Sequence, residues 1–213
     1  MDGIKLEHKS LPYPEVLLGK WKKGDFSFLI ESKASDYIKS ILTKKAGARP
    51  GRRFFGEAFI VTNVDAVEGW YNSFKWLTGK KWITGRGLER QFEKPFYDAL
   101  MKYVGRDGLK NLQKHSLRFF EKHMDHFKVG QVFRKPVAPD LWLIDKNGDF
   151  LFIESKLPGD TISPHQLVGL ALIKKRMDTK KRVSVCIFSL YPDDKQKPET
   201  DYSAQFSKFC ELA

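Results

Sequence analysis

The sequence predicts an α/β fold in which a mixed central sheet is flanked by helices. The chain has 213 residues, of which 41% are hydrophobic and 14% aromatic, and this is enough to build a substantial core. Helix-like and strand-like segments alternate along its second half, and several of the strands are apolar on both faces. Because such strands are buried between two layers, we expect them at the centre of the sheet.

The helices of the second half are predicted from apolar residues at helical spacing. Leu88 to Tyr103 carries such a stripe, and Pro95 either kinks this helix or marks its first turn. A second helix is predicted from Leu109 to Phe127. Short strands are then predicted at 131–134, 141–144 and 150–155, followed by a helix at 164–176 and a strand at 183–190.

The charge of the chain indicates a polyanionic partner. Lysine and arginine number 38 against 26 acidic residues, which gives a formal net charge of +12. A basic surface binds nucleic acid through phosphate contacts and counterion release, and it also attracts anionic membranes, so charge alone does not decide between them. Nucleic acid is the interpretation we prefer.

The sequence also bears on the compartment. The first residues lack the apolar stretch of a signal peptide, and no segment reaches the roughly 18 apolar residues of a membrane span. We therefore expect an intracellular, cytoplasmic protein with access to a nucleoid or nucleus and without membrane contact. The two cysteines, Cys186 and Cys210, lack the spacing of a zinc site, and Cys186 is expected to be buried in a strand.

The first 85 residues combine basic and aromatic side chains. They predict a helix at 36–45, a strand at 54–62, and a helix with aromatic residues at 70, 71, 74 and 76 that ends near Gly79. These aromatic side chains are interpreted as a buried stripe, with base stacking as the alternative. A Gly/Pro loop is flanked by basic residues that are the better candidates for nucleic-acid contact, namely Lys44, Lys45, Arg49, Arg52 and Arg53. We divide the chain into a basic N-terminal α/β extension (1–85), for nucleic-acid binding or dimerisation, and a second domain (86–213).

A carboxylate two residues before a lysine occurs five times in this chain, and one copy is distinguished by its surroundings. Pro139-Asp140 opens an apolar strand, and the returning apolar strand ends in Glu154-Ser155-Lys156. A three-residue loop at 146–148, with Gly148 in the left-handed position, would place Asp140 opposite Glu154. Lys156 lies two residues beyond Glu154 and therefore on the same face. The hairpin thus predicts three charged groups at one end.

Carboxylates in this arrangement suit Mg²⁺ or Mn²⁺, which prefer oxygen ligands. Asp140 and Glu154 would hold the ion, and the carbonyl group of Ser155 would complete its coordination. Lys156 would orient or activate a water molecule and stabilise transition-state charge during phosphodiester hydrolysis. The alternative is a surface hairpin with an incidental ion pair. A similar segment, Gly24 to Lys33, lacks the upstream Pro-Asp and is interpreted as a coincidence or a decayed duplicate.

These motifs resemble the VRR-NUC branch of the PD-(D/E)xK nucleases. The resemblance rests on Pro139-Asp140, on Glu154-Ser155-Lys156, on the loop Pro158-Gly159-Asp160, and on Ser163 and Gln166 at the start of the next helix. It covers roughly Leu88 to Leu190. It implies a restriction-endonuclease-like core, a divalent metal ion, and DNA as substrate, including branched or flap-bearing DNA. A homodimer is a further expectation, because paired active sites process symmetric substrates.

The resemblance also implies a glutamate on the first core helix that completes the metal site. Glu93 is our choice, with Glu89 as the alternative. Gln166 would contact phosphate or metal-associated water, or cap its helix, and Ser163 is the expected N-cap. The histidines at 115, 123 and 126 are assigned to a solvated or DNA-facing surface.

Three functions follow as hypotheses. The first is a metal-dependent DNA endonuclease, possible substrates being junctions and flaps. The second is a nucleic-acid-binding module that keeps a nuclease-like fold without cleavage. The third is a restriction-type endonuclease, which shares the chemistry and selects its site by sequence. RNA is retained as an alternative substrate.

Overall fold

Seven strands are present in the computed structural model, which describes residues 4–64, 66–71, 77–78, 94–129, 132–133, 135–180 and 182–213. In chain order they are β1 (Glu7–Tyr13), β2 (Ala66–Tyr71), β3 (Lys128–Val129), β4 (Val132–Phe133), β5 (Leu141–Asp145), β6 (Phe150–Lys156) and β7 (Val183–Pro192). Five of them form one sheet in the order β1-β7-β6-β5-β2, while β3 and β4 form a separate ribbon. Strand β7 pairs in parallel with β1 and β6, and β5 pairs antiparallel with β6 and β2, so the sheet is mixed as predicted.

Helices cover both faces of this sheet. Those of the N-terminal half are α1 (Glu15–Lys22), α2 (Ser27–Ile30), α3 (Asp36–Ala48) and α4 (Phe55–Asn63). Those that follow β2 in the chain are α5 (Lys94–Tyr103), α6 (Gly105–Lys122), α7 (Pro164–Met177) and α8 (Ser203–Leu212), with a 3-10 turn at Met124–Phe127. The result is a three-layer α/β arrangement.

The alternation of side chains along the central strands explains this layering. Leu141 and Leu143 of β5 and Cys186 of β7 belong to the core cluster that contains α1 to α4. Their neighbours Trp142 and Val185 belong to the cluster that contains α5 to α8. Both faces of these strands are therefore buried, as their apolar sequences predict.

Several predicted elements are confirmed with shifted ends. The helix expected at 36–45 extends to Ala48, and the helix expected at 164–176 extends to Met177. Helix α6 begins at Gly105, before the predicted Leu109, and ends at Lys122. Of the helix predicted at 88–103, residues 94–103 are helical, with Pro95 in the first turn, and 88–93 lie outside the described residues.

Three predictions for the N-terminal segment need correction. The strand expected at 54–62 is helix α4, which is buried almost all round. Trp70 and Tyr71 lie in strand β2 rather than in a helix; residues 72–76 and Gly79 lie outside the described residues. The segment Gly24 to Lys33 contains helix α2, whereas the segment it resembles contains strand β6, so the two have different structures.

The N-terminal extension is integral to the sheet. Strands β1 and β2, which come from residues 7–13 and 66–71, are the two outer strands of the five. Helices α1 to α4 supply one of the two core clusters. None of the helices in the described part of the chain combines the length and the apolar composition needed to cross a membrane.

Candidate active site

The β5–β6 hairpin has the predicted register. Leu141 pairs with Ile153, and extending this register by one residue places Asp140 opposite Glu154. The loop at 146–148 has Gly148 in the left-handed conformation, with φ of 77°. The carboxylate of Asp145 accepts hydrogen bonds from the backbone N–H groups of Asn147 and Asp149, at 2.8 and 2.9 Å. A locally stabilised turn therefore fixes which residues meet at the other end of the hairpin.

At that end, hydrogen bonds join Lys156 to Glu154 and join Asp140 to the backbone of Ser155. Lys156 Nζ donates to Glu154 Oε1 at 2.9 Å, and the Ser155 N–H donates to Asp140 Oδ2 at 3.0 Å. Glu154 is 2% exposed and Lys156 is 9% exposed. The predicted cluster is thus a buried group of charges.

Burial dominates the electrostatics of this cluster. Burial, and then the nearby Asp140, raise the pKa of Glu154 well above its usual range. Burial also raises the pKa of Asp140, although the hydrogen bond from Ser155 opposes the shift. Burial works against the charge of Lys156, but the ion pair and hydrogen bond with Glu154, together with the charges of Asp140 and Asp160, outweigh it and raise the lysine pKa.

Gln166 connects the cluster to helix α7. Its Oε1 accepts hydrogen bonds from the N–H and the hydroxyl group of Ser163, at 3.0 and 2.8 Å. Because Oε1 is occupied in this way, the amide Nε2 points toward Glu154 and donates to Glu154 Oε1. Gln166 therefore both contributes to the start of the helix, as predicted for a capping residue, and orients a carboxylate of the site.

Glu57 is a third acidic member of this site, and sequence reasoning missed it. It lies in the first turn of α4, and burial, followed by the charge of Asp140, raises its pKa to about 8. Helix α4 approaches strand β6 closely at Gly56, where a Cβ atom would lie 2.4 Å from Ser155 Oγ. The available signal was a Gly-Glu pair at the start of an apolar segment, but that segment was interpreted as a strand.

These residues line one cavity of about 540 Å³. Its acidic members are Glu57, Asp140, Glu154 and Asp160, and its basic members are Arg49, Arg52, Arg53 and Lys156; Phe54, Ser155, Leu157 and Gln166 complete the lining. Two segments distant in sequence meet there. Arg52 forms an ion pair with Asp160 at 3.1 Å and donates to the carbonyl group of Pro158 at 3.3 Å. The buried charges thus lie on the inside of a cavity that also presents arginines.

Only some of the predicted basic residues line the cavity. Arg49, Arg52 and Arg53 line the cavity, whereas Lys44 and Lys45 lie on α3 and are not part of its lining. The loop is anchored because Trp21 Nε1 donates to the carbonyl group of Arg53 at 3.0 Å. Next to it, Phe54 has a positive φ of 64°, a strained conformation for a non-glycine residue, at the point where the helix carrying Glu57 begins.

Of the remaining predicted site residues, the structure describes some and leaves others outside the described ranges. Glu93 and Glu89 lie outside the described residues. His115 and His123 are half-buried, at helix α6 and at its C-terminal end. Across the described ranges, no three His, Cys, Asp or Glu side chains form a group that could hold a metal ion as they stand. Asp140 and Glu154 are therefore a carboxylate pair with Glu57 nearby.

Comparisons with known proteins do not identify a family for this chain. No family model, no curated protein and no solved structure matches the chain.

Proposed function

We propose that the protein is a metal-dependent nuclease that hydrolyses phosphodiester bonds in DNA. The observation that carries this proposal is the position of Asp140, Glu154 and Lys156 at the end of the β5–β6 hairpin, inside a cavity that also presents three arginines. The mixed sheet between helical layers supports the finer proposal of a restriction-endonuclease-like core.

The acidic groups that line the cavity support a divalent cation as the cofactor. Glu57, Asp140 and Glu154 ionised beside Lys156 leave a net charge of −2, which burial makes costly. A divalent cation would neutralise this charge. These two carboxylates, the Ser155 carbonyl group and Glu57 are the groups that would hold Mg²⁺ or Mn²⁺. When bound, such an ion polarises a phosphodiester and lowers the pKa of water.

The protein's own residues supply orientation and positive charge. Lys156 and Gln166 both donate to Glu154 Oε1, so one oxygen of this carboxylate is fixed by protein donors. The Ser155 N–H fixes one oxygen of Asp140 in the same way. In this proposal Lys156 orients a water molecule and stabilises the charge that develops on the phosphate.

The arginines support a phosphodiester as substrate. Arg49 and Arg53 lie at exposed positions of the cavity lining, where a guanidinium group would bind a phosphate oxygen. Arg52 is held in place by Asp160. The excess of 38 basic over 26 acidic residues favours binding to a long polyanion.

The direct test is cleavage of labelled duplex, single-stranded, flap and four-way-junction DNA with Mg²⁺ or Mn²⁺. We expect Glu154→Gln and Lys156→Met to lower the rate by about 100-fold or more, the scale of losing one group that stabilises the transition state. Mg²⁺ should also raise the unfolding temperature of the native protein but not of Asp140→Asn, because a ligand stabilises only the state that binds it.

The chain offers a matched control in strand β1. Glu7 and Lys9 have the same spacing and an ion pair of 3.0 Å, but they lie outside the cavity. Glu7→Gln and Lys9→Met should therefore leave cleavage unchanged. Equal loss in both pairs of variants would contradict the assignment of the site. Salt-sensitive DNA binding without cleavage under any condition would replace the proposal with the non-catalytic binding module.

A further inference from the structure

Helix α6 carries a row of basic residues that the proposed active site does not use. Arg106, Lys110, Lys114, Arg118 and Lys122 follow one another at intervals of four residues, and all five are exposed. At 1.5 Å per residue the row is about 24 Å long. The opposite face is buried in the core through Leu109, Leu112, Phe119 and Phe120.

The row is unfavourable for the helix itself. Like charges four residues apart lie on adjacent turns and repel each other. Helix α6 contains only two acidic residues, Asp107 and Glu121, and Asp107 is paired with Lys110 at 3.2 Å. The pKa of the nearby His115 is lowered by partial burial and then by the charges of Arg176, Arg118 and Lys114. An external anion bound along the row would offset this repulsion, which would explain why the helix carries it.

The structure favours a nucleic-acid backbone over a membrane as that anion. A helix that lies on a bilayer inserts its apolar face between the lipids. The apolar face of α6 is already packed in the core, with Leu109 and Leu112 fully buried, so it is not available for insertion. Duplex DNA presents about seven phosphates per strand over about 24 Å, enough to contact each cation of the row.

We propose that the exposed row on α6 is a second DNA-binding surface, which contacts the phosphate backbone away from the cavity. None of its five residues lines the cavity. Helix α6 belongs to the layer on the opposite face of the sheet from α4, which carries Glu57. The surface therefore extends the contact with a long duplex beyond the site of cleavage. This inference rests on the proposed function only in taking DNA as the partner.

The test is the salt dependence of duplex binding, measured by fluorescence anisotropy in EDTA so that no cleavage occurs. The variant Lys114→Gln/Arg118→Gln/Lys122→Gln should reduce the slope of log K against log salt concentration by about 2 to 3, because each lost phosphate contact removes about 0.9. Its affinity at about 100 mM salt should fall by about 10-fold or more. Its unfolding temperature should stay the same or rise, since repulsion within the helix is relieved.

Two controls test whether a change in the slope comes from the α6 surface or only from the loss of net charge. Lys20→Gln/Lys22→Gln/Lys23→Gln removes the same charge from exposed positions at the end of α1 and should change the slope by less than about 1. Lys114→Arg/Arg118→Lys/Lys122→Arg keeps the charges and should keep the slope. Equal losses in the two glutamine variants, or an unchanged slope in the α6 variant, would overturn the inference.

Further outcomes distinguish the partner and the proposed function. If the α6 variant lost binding to phosphatidylserine vesicles while its DNA binding was unchanged, the surface would be a membrane surface and the inference would be overturned. An absence of salt-dependent DNA binding by the native protein would also overturn it. The expected slopes without any cleavage in Mg²⁺ would support this surface and reject only the nuclease activity.

Discussion

The ionisation of Glu57 is tied to folding in this cavity. Burial and then Asp140 raise its pKa from 4.5 to about 8. Between these two values the folded protein holds a proton that the unfolded chain releases. Its contribution to stability is therefore complete below the lower value and is lost as the pH rises through the upper one.

We predict that Glu57→Gln makes stability less dependent on pH. In urea unfolding without divalent cations, the native protein should lose stability between about pH 5 and about pH 9, and the variant should lose less. Glu121→Gln, at an exposed position of α6, is the matched control and should behave like the native protein. The same decline in native protein and Glu57→Gln would show that Glu57 is not a source of the effect.

The sequence predicted the local part of the site and missed its distant part. Asp140, Glu154 and Lys156 belong to one hairpin, so strand alternation and loop length were enough to bring them together. Glu57 reaches the same cavity through the packing of α4 on β6, which no local pattern encodes.

Helix α4 shows why its element type was misread. Six of its nine residues are buried: Phe55, Gly56, Ala58, Phe59, Ile60 and Val61. A helix buried almost all round loses the periodicity of 3.6 residues, and its aromatic and β-branched residues are those typical of strands. Helix α3, with buried Ile38, Leu42 and Ala46, keeps one apolar stripe and was predicted correctly.

Helix α7 depends on a glycine for its position, and this gives a prediction about stability. A Cβ atom at Gly169 would lie 1.7 Å from the carbonyl oxygen of Val137, in the segment that leads to Asp140. The same segment is held to α7 by a hydrogen bond of 3.0 Å from the Val137 N–H to the His165 carbonyl oxygen. Because backbone must move to admit a methyl group, we expect Gly169→Ala to destabilise the protein by about 3 kcal/mol, as overpacked cores do.

The control for this substitution lies in helix α3. A Cβ atom at Gly47 would meet nothing within 4 Å, so Gly47→Ala should leave the stability unchanged or raise it by up to about 1 kcal/mol. Chemical denaturation of both variants measures the difference. Similar stabilities for the two alanine variants would mean that α7 and the segment before Asp140 are not tightly packed.

At the scale of the whole molecule, the sheet joins segments that sequence patterns kept apart. The second half was predicted well because its strands are apolar on both faces and its turns are marked. The outer strands were harder to predict. Strand β1 is half-exposed along most of its length, and its parallel partner β7 lies more than 170 residues later in the chain. Pairing over such a distance leaves no local signal in the sequence.

This topology predicts that residues 86–213 do not fold alone. Removing residues 1–85 would take away β1, β2 and helices α1 to α4. It would expose one face of the remaining sheet, formed by the buried side chains of Leu141, Leu143, Ile153, Cys186, Phe188 and Leu190. At about 1.5 to 3 kcal/mol for each large apolar side chain, this loss is comparable to the whole stability of a domain, about 5 to 15 kcal/mol.

The fragment 86–213 should therefore show no cooperative unfolding transition in urea and no near-ultraviolet circular dichroism, whereas the full chain should show both. Coexpression with residues 1–85 as a separate chain should restore them, because the missing strands and the second core cluster would again be supplied. A cooperative transition in the isolated fragment would instead mean that the N-terminal segment is an addition to a self-sufficient domain. In that case Glu57 and the cavity arginines could be removed without unfolding the hairpin that carries Asp140, Glu154 and Lys156.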